Sequence, residues 1–90
     1  MTHSAAQLEA VFAHVDAHSD SFVARLMDYV SHPSISAQNI GIREVSAILV
    51  DILTGLGMEA EAVPTSGHPM VLGRRGADPD KPTVLLYGHY

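Results

Sequence analysis

Apolar residues recur at helical spacing in the first part of the chain. From about Ala5 to Ser31 they repeat every three or four residues with charged residues between them, which predicts an amphipathic helix. Ser19 stands where an apolar residue would continue the stripe, which leaves room for a kink or break there. Pro33 ends the helix, because proline pushes the preceding residue out of the helical region. The stripe consists of Leu8, Val11, Phe12, Val15, Phe22, Leu26, Tyr29 and Val30.

A second helical pattern follows a polar linker of residues 33–39. The pattern spans roughly 40–56, and we expect Ser36 or Asn39 to cap its first turn. Gly57 stands where a left-handed glycine commonly ends a helix, so we expect the helix to stop there. The apolar stripe of this helix consists of Val45, Ile48, Leu49, Ile52, Leu53 and Leu56.

After Gly57 the pattern changes from the period of a helix to that of strands. We expect strands near 58–63, 69–74 and 82–88, with turns between them. The last contains a continuous β-prone apolar run, Thr83 to Tyr87, which is typical of a strand buried on both faces in a parallel or mixed sheet under helices. The predicted fold class is therefore α/β, with two N-terminal helices followed by three strands.

Composition narrows the classes of function. The 90 residues make at most one small domain, and 47% apolar against 17% charged residues is typical of a globular chain. With a net charge of −5 and no basic run, we expect no nucleic-acid partner. We also expect no membrane association and a cytoplasmic location, because no apolar stretch approaches the roughly 18 residues that span a membrane and the first residues lack a secretory pattern. Without cysteine, any metal must be bound by His, Asp or Glu.

The most informative residue is His89, which follows the predicted third strand. An imidazole at the carboxyl end of a strand would lie at the sheet edge where α/β proteins bind ligands, and the strand would hold it rigidly. Gly88 would let the backbone bend and approach a neighbouring group closely. The spacing alone favours a simpler interpretation, in which His89 only hydrogen-bonds the adjoining loop, because one histidine does not make a metal site.

The other histidines carry more ordinary interpretations. His14 and His18 lie four residues apart on one helix face and could clamp a metal, but Val15 stands where the zincin motif needs glutamate, so a solvated polar edge is favoured. His32 and His68 precede prolines, where turn packing is expected, and His3 lies near the terminus.

The chain contains three informative stretches: HPSIS at 32–36, LTGLGM at 53–58 and PTVLLYGHY at 82–90. They occur in the order seen in the zinc peptidase family that includes the carnosinases and acetylornithine deacetylases. Together they make the chain resemble that family over roughly Leu8 to Tyr90, and Tyr90 after the histidine is more similar to the dipeptidase and carnosinase-like branch.

The resemblance implies a zinc-dependent hydrolase that cleaves a peptide or related amide bond. In that family the last stretch opens a Gly-His-x-Asp motif, whose histidine, His89 here, is a ligand of a site with two zinc ions. Residues 1–90 would then be the N-terminal portion of the catalytic domain, an incomplete part of a larger sheet, without the lid and dimerisation domain. The implied substrate is a small peptide or N-acyl amino acid, and the implied parent is a homodimer.

On this interpretation the 90 residues alone should be inactive and should self-associate, because one imidazole cannot hold two ions and the run at 83–87 would expose an unpaired edge. Two other functions stay open. A non-catalytic interaction module would use the two helices and the small sheet to dock a partner. A nucleotide-binding α/β domain ranks last, because no glycine-rich loop joins a strand to a helix.

Overall fold

The computed structural model describes residues 4–76 and 78–90, so that His3 and Ala77, the latter in the second predicted turn, lie outside the described residues. The chain divides into a unit that ends at His32 and a unit that begins at Pro33. The predicted α/β class is confirmed, although the described residues form three α-helices and two strands. The elements are α1 (Ala5–Ala17), α2 (Ser19–Val30), a 3-10 turn (Ser36–Gln38), α3 (Ile42–Gly55), β1 (Glu59–Val63) and β2 (Met70–Arg74). None of the helices within 4–76 and 78–90 is long and apolar enough to cross a membrane.

The first unit contains two helices where the sequence predicts one helix over 5–31. The helices are separated at His18, next to the predicted interruption at Ser19, and the backbone there has φ −115° and ψ 10°. Side chains compete for backbone carbonyls at this point: His18 Nδ1 donates to the His14 oxygen at 2.8 Å, and Ser21 Oγ donates to the His18 oxygen at 2.8 Å. Such side-chain bonds to the backbone bend helices. No residue of α1 or α2 is buried.

The second unit is an antiparallel hairpin packed on α3. Strands β1 and β2 pair in a register that places Glu59 opposite Arg74 and Val63 opposite Met70. α3 contacts both strands. Gly73 of β2 permits this close packing, because a Cβ at that position would lie 3.0 Å from Leu53 Cδ1 of α3. The sequence therefore places the hairpin correctly, and the sheet consists of these two strands within the described residues.

The core of the second unit lies under the first turns of α3. Ile42 and Val45 are each 2% exposed and are the buried apolar side chains among the described residues. Ser46 beside them is also buried, and its hydroxyl donates to the Arg43 carbonyl oxygen at 2.8 Å. A buried hydroxyl needs such a partner to offset its lost hydration. With two buried apolar residues the core is small, so the unit depends on local hydrogen bonds and turns.

The C-terminal end of α3 was predicted correctly. Gly57 has φ 86°, and the N–H groups of Gly57 and Met58 donate to the carbonyl oxygens of Thr54 and Leu53, each at 3.0 Å. This pair of hydrogen bonds is the Schellman arrangement, which uses the left-handed residue to satisfy carbonyls that the helix leaves unpaired. Arg75 adds a side-chain bond, since its Nη1 donates to the Leu56 oxygen at 3.3 Å.

The predicted cap of α3 was wrong, although the helix begins at Ile42, within two residues of the predicted start. The residue before the helix is Gly41, with φ 75°, and no side chain caps the first turn. Asn39 lies two residues before Gly41 and instead ends the 3-10 turn in a left-handed conformation, with φ 51°. Ser36 begins that turn, and a backbone bridge between Ile35 and Ile40 closes the loop between it and the helix. The linker is therefore a folded loop.

The predicted third strand, 82–88, was also wrong, because these described residues form no strand. Its apolar residues Val84, Leu85, Leu86 and Tyr87 are 77–86% exposed. A strand forms only where a neighbour receives its backbone hydrogen bonds, and the segment does not pair with the hairpin. Residues 84–87 therefore have high β-propensity but no neighbouring strand in the described structure to pair with. As a result, His89 does not lie at the carboxyl end of a strand as the sequence suggested.

Candidate functional site

His89 is exposed, and its aromatic contact comes from its own segment. The Tyr87 hydroxyl lies 3.1 Å from His89 Nε2, and the two rings meet edge-on with centroids 5.3 Å apart and planes at 82°. Gly88 between them has open space around its Cα, so steric crowding does not require glycine there. The imidazole is therefore accessible to a ligand.

Tyr90, the next residue, is held differently. Its ring is half-buried, and its hydroxyl donates a hydrogen bond to the carbonyl oxygen of Pro69. Pro69 belongs to the loop between β1 and β2, so this bond links the His89 segment to the hairpin across 21 residues of sequence. Tyr90 thus contacts the loop, whereas His89 contacts Tyr87 of its own segment.

The loop that receives Tyr90 is itself held by side-chain hydrogen bonds. His68 Nε2 lies 2.9 Å from the Ser36 carbonyl oxygen of the 3-10 turn. Thr65 Oγ1 donates to the His68 carbonyl oxygen at 2.6 Å and accepts from the Gly67 N–H at 3.0 Å. The expectation that His68 serves turn packing is therefore confirmed. We call the set of Ser36, Thr65, His68, Pro69 and Tyr90 the loop junction.

The other histidine predictions agree with structural roles. His14 and His18 stack with ring centroids 4.2 Å apart and planes at 29°, and His18 Nδ1 is already engaged by the His14 carbonyl oxygen. Stacked rings do not direct two nitrogens at one ion, so the interpretation as an exposed polar edge fits. His32 Nδ1 lies 2.9 Å from the Asp28 carbonyl oxygen, which is the expected turn packing.

The donor side chains of the described residues do not form a complete metal site. Within 4–76 and 78–90, no group of three or more His, Asp or Glu side chains is placed to hold a metal ion. A bound zinc ordinarily needs three or four ligands. The accessible imidazole of His89 fits the role of one ligand, and the rest of the described chain does not complete a site around it.

Comparison with curated proteins shows what the chain is related to. It is 32% identical to a β-Ala-His dipeptidase of Mus musculus, over 91% of this chain and 20% of the relative. It is 35% identical to a Cys-Gly metallodipeptidase of Schizosaccharomyces pombe, over 92% of this chain and 20% of that relative. A Cys-Gly metallodipeptidase of Saccharomyces cerevisiae is 32% identical over 100% of this chain and 21% of the relative. The chain is similar to these dipeptidases over nearly its whole length.

This similarity confirms the resemblance seen in the sequence, but it covers only a small part of each relative. The chain spans about a fifth of the length of these metallodipeptidases. Because the match to the Saccharomyces cerevisiae protein covers the whole chain, it includes the Gly88-His89-Tyr90 stretch. No protein-family model and no solved structure matches the chain.

His89 as a metal ligand stays a prediction from the sequence, and the sequence did not reveal the loop junction. The contacts of His68 with Ser36 and of Tyr90 with Pro69 join residues 32 and 21 positions apart. Neither contact has a local sequence signal, since both donors reach backbone carbonyls, which every residue carries. The sequence shows His68 in the hairpin loop and Tyr90 after His89, but it does not show which carbonyl oxygens they bind.

Proposed function

We propose that these residues are the N-terminal portion of the catalytic domain of a metal-dependent dipeptidase, with His89 as a metal ligand. The observation that carries the proposal is the similarity to metallodipeptidases over 91–100% of the chain. Those relatives are named for β-Ala-His and Cys-Gly dipeptides. The substrate class is accordingly a small peptide or a related N-acyl amino acid, and the bond cleaved is an amide.

The metal we propose is zinc, with two ions in the complete site. Such ions polarise the scissile carbonyl and supply an activated water. The contribution of this chain is an imidazole on an exposed segment that a hydrogen bond from Tyr90 attaches to the hairpin loop. The described residues group no three His, Asp or Glu side chains around an ion, so we propose that other parts of the complete enzyme supply the remaining ligands and the general base. The 90 residues alone are therefore expected to hydrolyse nothing.

The assembly proposed for the whole enzyme is a homodimer, and we propose no nucleic-acid or membrane partner. The acidic net charge of −5 is unfavourable for binding a polyanion. The cytoplasmic location stays a prediction.

The test is a substitution of His89 in the full-length dipeptidase. His89→Ala should lower the bound metal and reduce hydrolysis of β-alanyl-histidine and cysteinyl-glycine by at least about a hundredfold, because an imidazole ligand is lost. Far-UV circular dichroism should change little, since His89 is exposed. His14→Ala is the matched control, because His14 is an exposed histidine on α1. Full metal content and full turnover in His89→Ala would contradict the assignment.

The second candidate is a non-catalytic interaction module, and exposed apolar surface favours it. The segment at 84–87 and the stripe of α1 and α2 leave large apolar side chains open to solvent. The continuation of the reading frame separates the candidates. An Asp directly after Tyr90, followed later by a Gly-x-x-Asp-x-Lys-Gly stretch, supports the dipeptidase, and their absence supports the module.

A further inference from the structure

The loop junction joins three parts of the second unit that are distant in sequence. The 3-10 turn contributes the Ser36 carbonyl oxygen, the hairpin loop contributes His68 and Pro69, and the His89 segment contributes Tyr90. Each bond uses a side-chain donor and a backbone acceptor. Because backbone acceptors cannot rotate away as side chains do, both bonds fix the position of the chain as well as of the side chain.

The two bonds act in series. Tyr90 attaches the His89 segment to Pro69, and His68, the residue before Pro69, attaches the same loop to the 3-10 turn. Thr65 stiffens the loop between them by bonding the His68 carbonyl oxygen and the Gly67 N–H. The 3-10 turn thus restrains the hairpin loop, and the loop in turn restrains Tyr90, the residue that follows His89.

Such an anchor matters because little else in the described structure restrains the segment. Residues 84–87 are 77–86% exposed and unpaired, whereas Tyr90 is half-buried. The contact between Tyr87 and His89 orients the imidazole within the segment but does not attach the segment to anything. A metal ligand has to be held within a fraction of an ångström of its working position.

We infer that Tyr90 and His68 are positioning residues, which hold the backbone of His89 in place through the loop junction. The inference rests on the proposed function, since it assigns the anchor to a metal ligand. Neither residue touches the substrate or metal in this role. Tyr90 acts through its hydroxyl on Pro69, and His68 acts through its Nε2–H on Ser36.

The first experiment measures order at His89 without metal or activity. The 90-residue chain contains six histidines, so selective 15N-histidine labelling gives few backbone amide signals, with His89 as the reporter. All variants carry Leu85→Lys, which reduces self-association through the exposed residues 84–87. Tyr90→Phe keeps the ring and removes the hydroxyl. The heteronuclear NOE of the His89 amide should fall, because loss of one half-buried hydrogen bond raises the detached fraction about fivefold. His68→Leu should lower the same NOE, and His68→Gln, which keeps an N–H donor, should restore it.

Two control variants separate the anchor from other effects. Thr54→Val removes a hydroxyl that donates within α3 to the Val50 carbonyl oxygen, and should leave the His89 amide unchanged. Tyr87→Phe removes the contact with the imidazole and should alter the ring signals of His89 more than its amide order. An unchanged His89 amide in Tyr90→Phe would overturn the inference. So would a loss of order in Tyr87→Phe alone.

The second experiment asks whether the anchor serves the metal ligand in the full-length dipeptidase. Tyr90→Phe and His68→Leu should release metal to a chelator up to about tenfold more readily, with kcat lowered and KM nearly unchanged. His68→Gln should recover most of the loss. If His89→Ala removes metal while Tyr90→Phe retains it fully, the anchor is refuted and the proposed function stands. If His89→Ala retains metal and activity, the proposed function fails whatever the order at His89.

Discussion

Gly41 is the position where a single added methyl group should damage this structure most. It precedes α3 with φ 75°, a conformation that L-residues with a side chain rarely adopt. A Cβ built there overlaps the Pro33 carbonyl oxygen and lies 2.7 Å from the Pro33 carbonyl carbon. The Gly41 carbonyl oxygen also accepts the first hydrogen bond of α3, from the Val45 N–H at 2.9 Å. Gly41→Ala therefore adds both backbone strain and a clash with backbone.

Two other glycines allow these effects to be separated. Gly76 has φ 77° but open space around it, so Gly76→Ala should cost only the left-handed strain, about 1–2 kcal/mol. Gly55, at the end of α3, has neither a positive φ nor a neighbour within 4 Å. Gly55→Ala should stabilise the helix by about 0.5–1 kcal/mol, because alanine loses less backbone entropy. For Gly41→Ala, strain and overpacking together should cost about 2–5 kcal/mol.

The assay is hydrogen exchange of the Val45 amide, which is buried and bonded to Gly41. Exchange at a single amide is preferable to thermal unfolding of the whole chain, because the chain has two units that need not unfold in one cooperative transition. Relative to wild type, Gly41→Ala should speed exchange at least about thirtyfold, and Gly55→Ala should slow it. A loss in Gly41→Ala no larger than that in Gly76→Ala would refute the clash with Pro33.

Two further predictions concern the 90-residue chain itself. It should self-associate in sedimentation velocity across a concentration series, because residues 84–87 expose apolar side chains and unpaired backbone N–H and C=O groups. Leu85→Lys should reduce the association. A strictly monomeric wild-type chain with a sharp thermal transition would contradict this and favour the interaction module. Zinc added in a calorimeter should bind weakly or not at all, because three ligands are needed and the described residues group no three. Tight stoichiometric binding would show that His89 has partners within these 90 residues.

The local chemistry of the sequence determined the features that need no distant partner. The end of α3 at Gly57 follows from a residue that tolerates a positive φ where a helix leaves carbonyls unpaired. The break near Ser19 follows from serine and histidine side chains that compete for helix carbonyls, although the structure places it at His18. The two strands of the hairpin follow from period-two patterns joined by a turn. His89 as the candidate ligand came from its motif alone.

Tertiary structure decided the features in which one segment needs another. The run at 83–87 has the composition of a strand and forms none, because ladder hydrogen bonds require a neighbour that sequence cannot supply. The cap of α3 was mispredicted because the bridge between Ile35 and Ile40 folds the linker and leaves Gly41 before the helix. The loop junction could not be predicted from the sequence either, because it joins residues that are distant in the chain. Its acceptors are backbone carbonyls, and only the folded chain determines which carbonyl lies within reach of Tyr90.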